Sequence, residues 1–425
     1  MYCGFITKIN NLHKHPNADR LQIGTIFGNS IVVDLSITEG QLGVFFPVDG
    51  QLSAEFCKAN KLCRGEDGGY LDPDKRNIKA IRLRGEKSEG LFLPLESLSS
   101  FYDVNELQAG SQITVLNGIL ICQKYIPRRP ARRVYTTSKK KQKTPSTTYQ
   151  YPFFKEHIDT EQLMYNLGRF KQGDTCYITL KMHGTSHRCA KTLEHKVKTS
   201  WIRKLLHLPD KITTKPSFVS GTRRVVLRDF AGGFYGTNEF RQPYHEFFRN
   251  RLYDGETVYF EIVGYIDKEH TIMGSGDNTK LKDKEFVKMY GDTTVFSYGC
   301  KEGENKAFVY RMTTTTPDGY VVEYPTELVQ LRCEQMGVDF VPVFDKFIYT
   351  TEEDLLKRVE DYVDGTDPIG QTHIREGVVV RIDNREKFTA YKHKNFSFKV
   401  LEGIIKEDAV EADIEEQQDL EQEEI

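Results

Sequence analysis

Short apolar runs separated by turn residues dominate the first 125 positions: residues 4–9, 21–27, 30–34, 43–47 and 112–116. Runs of that length and spacing predict the strands of a small all-β barrel or sandwich. Within 78–91, Arg82 and Arg84 alternate with Ile81 and Leu83, so one face of the predicted strand presents positive charge while the other enters the core. Further along, Thr-Cys-Tyr-Ile-Thr-Leu at 175–180 alternates as a strand and ends directly at Lys181. A chain of 425 residues is too long for one ordinary core and long enough for two domains.

Charge changes the picture through its distribution. The formal net charge is only −2, which by itself predicts no polyanionic partner. Yet residues 123–144 hold nine Lys or Arg and no acid, and residues 407–425 hold ten acids and no base. Such runs are usually solvated linkers or tails, and the basic one is also suited to a phosphate backbone. Residues 139–150, rich in Lys, Thr, Ser and Pro, read as an exposed linker. The eight cysteines are scattered without Cys-x-x-Cys pairs, which predicts reduced core thiols and neither a zinc site nor a disulfide framework. No signal peptide or membrane-length apolar run is apparent, so a reducing, cytosol-like compartment is expected.

The candidate chemistry centres on Lys181-Met182-His183-Gly184-Thr185-Ser186. A lysine at a strand end projects its amine into a cleft, and Gly184 lets the backbone turn closely around a ligand. Lys-x-x-Gly alone is a weak signal. It is followed in order by Ser220-Gly221-Thr222-Arg223-Arg224, by 259–265 around Glu261, by Val295-Phe296-Ser297-Tyr298-Gly299, by Arg375-Glu376-Gly377-Val378-Val379-Val380-Arg381 and by Tyr391-Lys392-His393-Lys394-Asn395.

That ordered series resembles the covalent nucleotidyltransferases, the superfamily of polynucleotide ligases and RNA capping enzymes. Lys-x-His-Gly-Thr and Lys392-His393-Lys394-Asn395 resemble the RNA ligase form, because DNA ligases and capping enzymes usually carry Asp where this chain has His183. His15-Pro16-Asn17-Ala18-Asp19-Arg20-Leu21 resembles the first hairpin of OB-fold tRNA-binding modules, and 78–91 resembles their basic strand and Ser-x-Gly turn. An OB domain placed first, with only about 30 residues after Lys394, resembles the nick-sealing RNA ligases with an N-terminal OB module.

The resemblance implies an OB-fold barrel over 1–125, a basic linker over 126–150, an α+β nucleotidyltransferase domain built on antiparallel sheets over 151–405, and an acidic, disordered tail over 406–425. It implies an ATP-dependent ligase that acts on nicked RNA or RNA-containing duplexes, works with Mg²⁺ or Mn²⁺, and is a monomer without membrane association. Lys181 is then the nucleophile that takes AMP from ATP as lysyl-AMP. A free lysine has a pKa near ~10.4, so nearby cations such as Lys392, Lys394 and a metal would favour the neutral amine and neutralise phosphate charge. Glu261 and Glu376 are assigned to the metal and its waters, with ribose binding an alternative for Glu261. Met182, His183 and Gly184 belong to the nucleotide site, Phe296 is assigned to adenine stacking with Tyr298 as the alternative, and Arg223 to ribose or a 5′-phosphate. Arg82, Arg84 and Arg224 are assigned to nucleic acid. The chain departs from many RNA ligases in having Leu180 rather than Glu before the nucleophile, which leaves adenine selection to backbone groups or to Glu161 and Gln162. A capping-type guanylyltransferase, or a non-catalytic RNA-binding protein with a tRNA-binding-like domain, are the alternatives.

Overall fold

The computed structural model describes residues 2–65, 69–126, 147–198, 205–232, 235 and 237–408. Most of the basic stretch (127–146) and the acidic tail from 409 onward lie outside the described residues. The chain divides into two compact units, one of Met1–Arg128 with Phe396–Asp408, the other of Arg129–Asn395. Among the described residues no helix is long and apolar enough to cross a membrane. All eight cysteines are free, and every one except the half-buried Cys3 is buried.

The first unit is built from antiparallel strands. One sheet runs in the order Gln112–Ile113, Gly4–Lys8, Leu42–Phe46, Leu91–Pro94, and a meander of Asn10–Lys14, Leu21–Ile26 and Asn29–Asp34 forms a second. Ile6, Val44 and Phe46 enter one core cluster, while Phe45 and Ile31 enter another, so Leu42–Phe46 is buried on both of its faces. Ala80–Leu83 and Glu86–Glu89 form a tight hairpin with Arg84 and Gly85 as its turn, at φ 48° and 97°. Arg84 therefore stands in the turn and not on a strand face with Arg82, because a two-residue loop needs positive φ at that position. Buried His15 explains the His-Pro-Asn segment locally: its ring Nε2 lies 3.0 Å from the Leu83 carbonyl, and Asn17 Nδ2 donates to the Arg84 carbonyl at 3.0 Å.

The helix Phe396–Asp408 also belongs to this unit, although it directly follows Lys394 and Asn395 in sequence. Phe398 and Leu401 are fully buried, Lys399 pairs with Glu89 at 2.7 Å, and Arg82 and Lys87 lie over the Phe396 ring. An apolar helical face needs a partner, and the N-terminal unit supplies it. Helix also continues to 408, where a disordered tail was expected from 406.

The second unit holds two sheets. The larger runs Val226–Leu227, Lys211–Gly221, Thr185–Lys198, Glu256–Gly264, Asn305–Thr315, Val321–Glu323, with Thr147–Gln150 added beside the far end of Thr185–Lys198. The smaller runs Glu161–Gln162, Thr389–Lys394, Gly377–Ile382, Thr175–Leu180, Val343–Ile348. Helices Gln242–Arg249 and Thr326–Met336 cover the larger sheet through Phe248, Val329 and Cys333, which pack on Val258, Phe260 and Val309. Glu352–Val363 covers the smaller sheet through Leu355 and Val359.

Candidate active site

Lys181 occupies the place where the chain leaves one sheet for the other. Thr175–Leu180 ends in the smaller sheet, Thr185–Lys198 begins in the larger, and residues 181–184 make the crossing. The Lys181 N–H donates to the Gly377 carbonyl at 3.0 Å, which ties the crossing to the strand after Glu376. A Cβ on Gly184 would stand 2.4 Å from the Ile262 carbonyl oxygen, so this glycine permits close packing of the crossing on Glu256–Gly264. Gly377 takes φ +146° and has no room for a Cβ beside His393. The Glu-Gly pair thus fixes where Glu376 points.

Three lysines gather around Glu376. Its Oε1 lies 2.9 Å from Lys181 Nζ and 3.2 Å from Lys394 Nζ, and its Oε2 faces His183 Nδ1 at 3.6 Å. Burial alone would raise the Glu376 carboxyl, but Lys181, Lys394 and His183 outweigh it and hold the group well below the usual carboxylate range. Lys392 and Lys394 share a face of Thr389–Lys394, two residues apart, with Lys392 opposite Val379 and Lys394 opposite Gly377. Burial, then the charges of Lys181 and Lys394, push the Lys392 amine down to about 8.

The cleft around Lys181 combines a polar part with an apolar part. Lys181, Met182, Ser186, Arg223, Glu261 and Lys392 line it, as do Leu180 and Val379. Ser186 Oγ donates to Glu261 Oε2 at 3.1 Å. Buried Arg241 holds the start of that strand by donating to Thr185 Oγ1 at 2.7 Å and to the Ser186 carbonyl at 3.1 Å. Arg223 donates from Nε to Asp159 Oδ1 at 2.9 Å, and Arg224 reaches Asp159 Oδ2 at 3.4 Å. Burial raises the Asp159 carboxyl, and Arg223, with His157 and Arg224, more than reverses this, leaving it lowered.

Phe296 is absent from the cleft lining. It is buried against His183, with ring centroids 4.6 Å apart, and against His373. Residues 295–299 form no strand, and Tyr298, at φ 51°, accepts the His183 N–H on its hydroxyl at 2.7 Å. These aromatics support the crossing from behind. The aromatic rings in the lining are Tyr310, Phe340 and Phe388; Tyr310 sits at a register irregularity of Asn305–Thr315, where Val309 faces Phe260 and Arg311 faces Tyr259. Its hydroxyl lies 3.2 Å from His157 Nδ1. Burial, then Arg223 and Arg311, push His157 down to about 3, so it is neutral at physiological pH. Glu161 and Gln162 pair with Tyr391 and Lys392 at the sheet edge but are not in the lining, whereas His157 and Thr160 are.

Tyr310, Thr326, Phe340, Val341 and Phe388 are the lining residues outside the motif series, while His157 and Thr160 come from the segment 154–163 that opens the second unit. A signal existed for Tyr310: the strand that must pair with the Glu261 strand also carries aromatics at Phe308 and Tyr310, but residues 265–304 intervene. Among the described residues no group of three or more His, Cys, Asp and Glu is placed to hold a metal ion.

Searches of solved structures return RNA ligases. A Naegleria gruberi RNA ligase mutant with AMP and Mn matches with a TM-score of 0.56 at 16% identity, covering 93% of this chain and 97% of that one. This chain has the fold of that ligase. Another mutant of the same ligase, with ATP and Mn, matches with TM-score 0.56 over 93% and 98% of the two chains at 16% identity, and an apo mutant matches with 0.56 at 17% over 93% and 96%. No protein-family model and no curated protein matches the sequence.

Proposed function

We propose that the chain is an ATP-dependent RNA ligase that seals 3′-OH/5′-phosphate nicks in duplexes through lysyl-AMP and an adenylated 5′ end. The observation that carries this reading is Lys181 at the sheet crossing, lining a cleft and within 2.9 Å of a carboxylate that also binds Lys394. The solved ligases of the same fold that contain ATP or AMP with Mn support it.

In the first step the Lys181 amine, having given up its proton, attacks the α-phosphorus of ATP. The P–N bond forms, the P–O bond to the β-phosphate breaks, and pyrophosphate leaves. Glu376 fixes the Lys181 amine before attack, while Lys392 and Lys394 stand to neutralise charge on the reacting phosphate. AMP then passes to a 5′-phosphate end, and the adjoining 3′-OH attacks that phosphorus and releases AMP. The base belongs in the apolar part of the cleft. Tyr310, Val379 and Phe388 offer faces for it there, in place of Phe296.

The donor set fits a divalent ion that comes with the nucleotide better than one held in a protein cage. Glu376 is already held between two ammonium groups, so Glu261 is the cleft carboxylate suited to such an ion, through waters of the kind Mg²⁺ retains. When bound, the ion would supply positive charge to the phosphates. We assign the N-terminal unit to an OB-type nucleic-acid module that helps grip the broken strand, with Arg82 on its exposed surface. Purified protein incubated with labelled ATP and Mg²⁺ or Mn²⁺ is expected to acquire a covalent, acid-labile AMP adduct. Labelling with GTP alone would replace this reading with the capping-type one, and labelling with neither would leave a non-catalytic RNA-binding protein.

A further inference from the structure

The strand that begins at the nucleophile does not stop at the cleft. Thr185–Lys198 runs 14 residues, pairs with Lys211–Gly221 without a register shift, and takes Thr147–Gln150 on its other side near the far end. The result is a three-stranded arm. At ~3.3 Å per residue, Lys196 stands roughly 33 Å along the strand from Ser186.

Register sorts the side chains of the arm by face. Even-numbered residues of Thr185–Lys198 share the face of Ser186, which lines the cleft. Beyond the cleft that face carries Lys196 and Lys198, with Thr213 and Lys211 directly opposite, and Lys215 opposite Glu194. Tyr149 stands beside Lys196 on the added strand, 44% exposed, with the Lys196 ammonium 5.7 Å from its ring centre. The other face carries Leu193, Val197, Ile212, Thr214 and Pro216, and its lysine, Lys191, is paired with Asp254 at 2.9 Å. Four lysines therefore share one face with a single acid, Glu194, which is itself bonded to Lys215 and to Tyr151.

One pairing is costly in isolation. Lys198 and Lys211 are exposed and directly opposite, and like charges at that position destabilise a sheet. A polyanion laid across them reverses the sign of that interaction. Phosphate contacts of this sort position a duplex without reading its sequence, and an exposed tyrosine adds a flat surface for sugar or backbone.

We infer that this lysine face is a docking surface for the sugar-phosphate backbone of duplex RNA, continuous with the cleft and gripping the duplex on the order of ten base pairs from the reacting end. The inference deepens the ligase reading and rests on it for the identity of the nucleic acid.

The test uses the full chain and a labelled intact 24-base-pair RNA duplex, followed by fluorescence anisotropy at several salt concentrations. The variant combines Lys196→Ala, Lys198→Ala and Lys211→Ala. It should bind at least about tenfold more weakly at moderate salt, with the slope of log affinity against log salt reduced by about 2 to 3, near one phosphate per lysine. Its melting temperature should not fall, and AMP labelling of Lys181 should match the parent. On a duplex shortened to six base pairs, parent and variant should converge. Equal affinity and slope on the long duplex would overturn the inference, as would a difference that persists on the short one. Parent protein that ignores duplex but binds anionic phospholipid vesicles through these lysines, helped by exposed Leu205, Leu206 and Leu208, would also overturn it. If the parent binds duplex through the arm yet forms no AMP adduct, the arm stands and the ligase reading falls. If it forms the adduct and the triple variant binds duplex normally, only the arm falls.

Discussion

Two lysine clusters lie on the second unit, and they are built on opposite principles. At the edge of the cleft, Lys181 and Lys394 converge on one buried carboxylate with Lys392 close by, so much of the charge is balanced within the protein. On the arm, Lys196, Lys198 and Lys211 face outward with no acid opposite them. A balanced, buried cluster is preorganised and holds a geometry, which is what attack on a phosphorus needs. An unbalanced, exposed cluster holds no geometry of its own but gains from any long anion laid along it. The same residue type thus serves chemistry at one end of a strand and grip at the other, and the difference lies in Glu376.

The comparison breaks most completely at the nucleophile. Lys181→Ala should abolish the AMP adduct, read as loss of all labelled protein in a gel, because no other amine shares its place at the crossing. Labelling that persists on another residue would move the active site. Glu376→Gln and Lys394→Ala should each lower adenylation by about 100-fold, the scale of losing one preorganised charge from such a site. If both variants react at near-parental rates, the cluster around Glu376 is structural and the cleft is not the reaction centre.

Much of this was legible before any coordinates, though not evenly. Lys181, Glu261, Glu376, Lys392 and Lys394 sit close to strand ends or on alternating strand positions, so motif order and period-2 patterning were enough to bring them together. Phe296 lies behind His183 and Tyr310 in the lining, a difference set by which segment pairs with the Glu261 strand, and that pairing skips residues 265–304. The helix Phe396–Asp408 went to the wrong domain for a related reason: its apolar face is plain in the sequence, but the unit that buries it lies some 300 residues earlier in the chain. Arg84 was misplaced because a two-residue turn looks like continued alternation. Arg223 falls in the cleft as expected, but its salt bridge to Asp159 depended on how an irregular segment, 154–160, would run.

A sharper distinction within the cleft concerns its aromatic rings. Tyr310→Leu should raise the KM for ATP about tenfold with a smaller change in kcat, as expected when a stacking face is lost from binding. Phe296→Leu should act differently, lowering thermal stability and kcat together, since Phe296 packs behind His183. Reversed outcomes would return the stacking role to Phe296. The pH profile separates Lys392 from its neighbours. With an amine at about 8, Lys392 is charged below that pH and neutral above it, so kcat/KM for ATP, which reports the free enzyme, should decline on its alkaline side near pH 8. Lys392→Arg should move that decline to higher pH, because a guanidinium keeps its charge. A decline that stays in place would assign it to another group.

The smallest expected effect tests whether the arm is strained by its own charge. Lys198 and Lys211 stand directly opposite one another, and cross-strand pairs of this kind are worth roughly 0.2–1 kcal/mol in either direction. Lys198→Gln removes the repulsion, and Lys198→Glu converts it to attraction, so melting temperature should rise in the order Lys, Gln, Glu. A total span of about 1 to 3 °C is expected for a domain of this size. Strand propensity alone does not give that order, because Glu and Lys are both somewhat depleted in strands. The ranking should collapse in high salt, where exposed charges are screened within a few ångströms. Adenylation should be unaffected throughout, since Lys198 lies far from the cleft along the strand. If Gln and Glu prove equally stable at low salt, the opposed lysines do not repel in the folded arm, and the argument that this face awaits an anion loses its energetic basis.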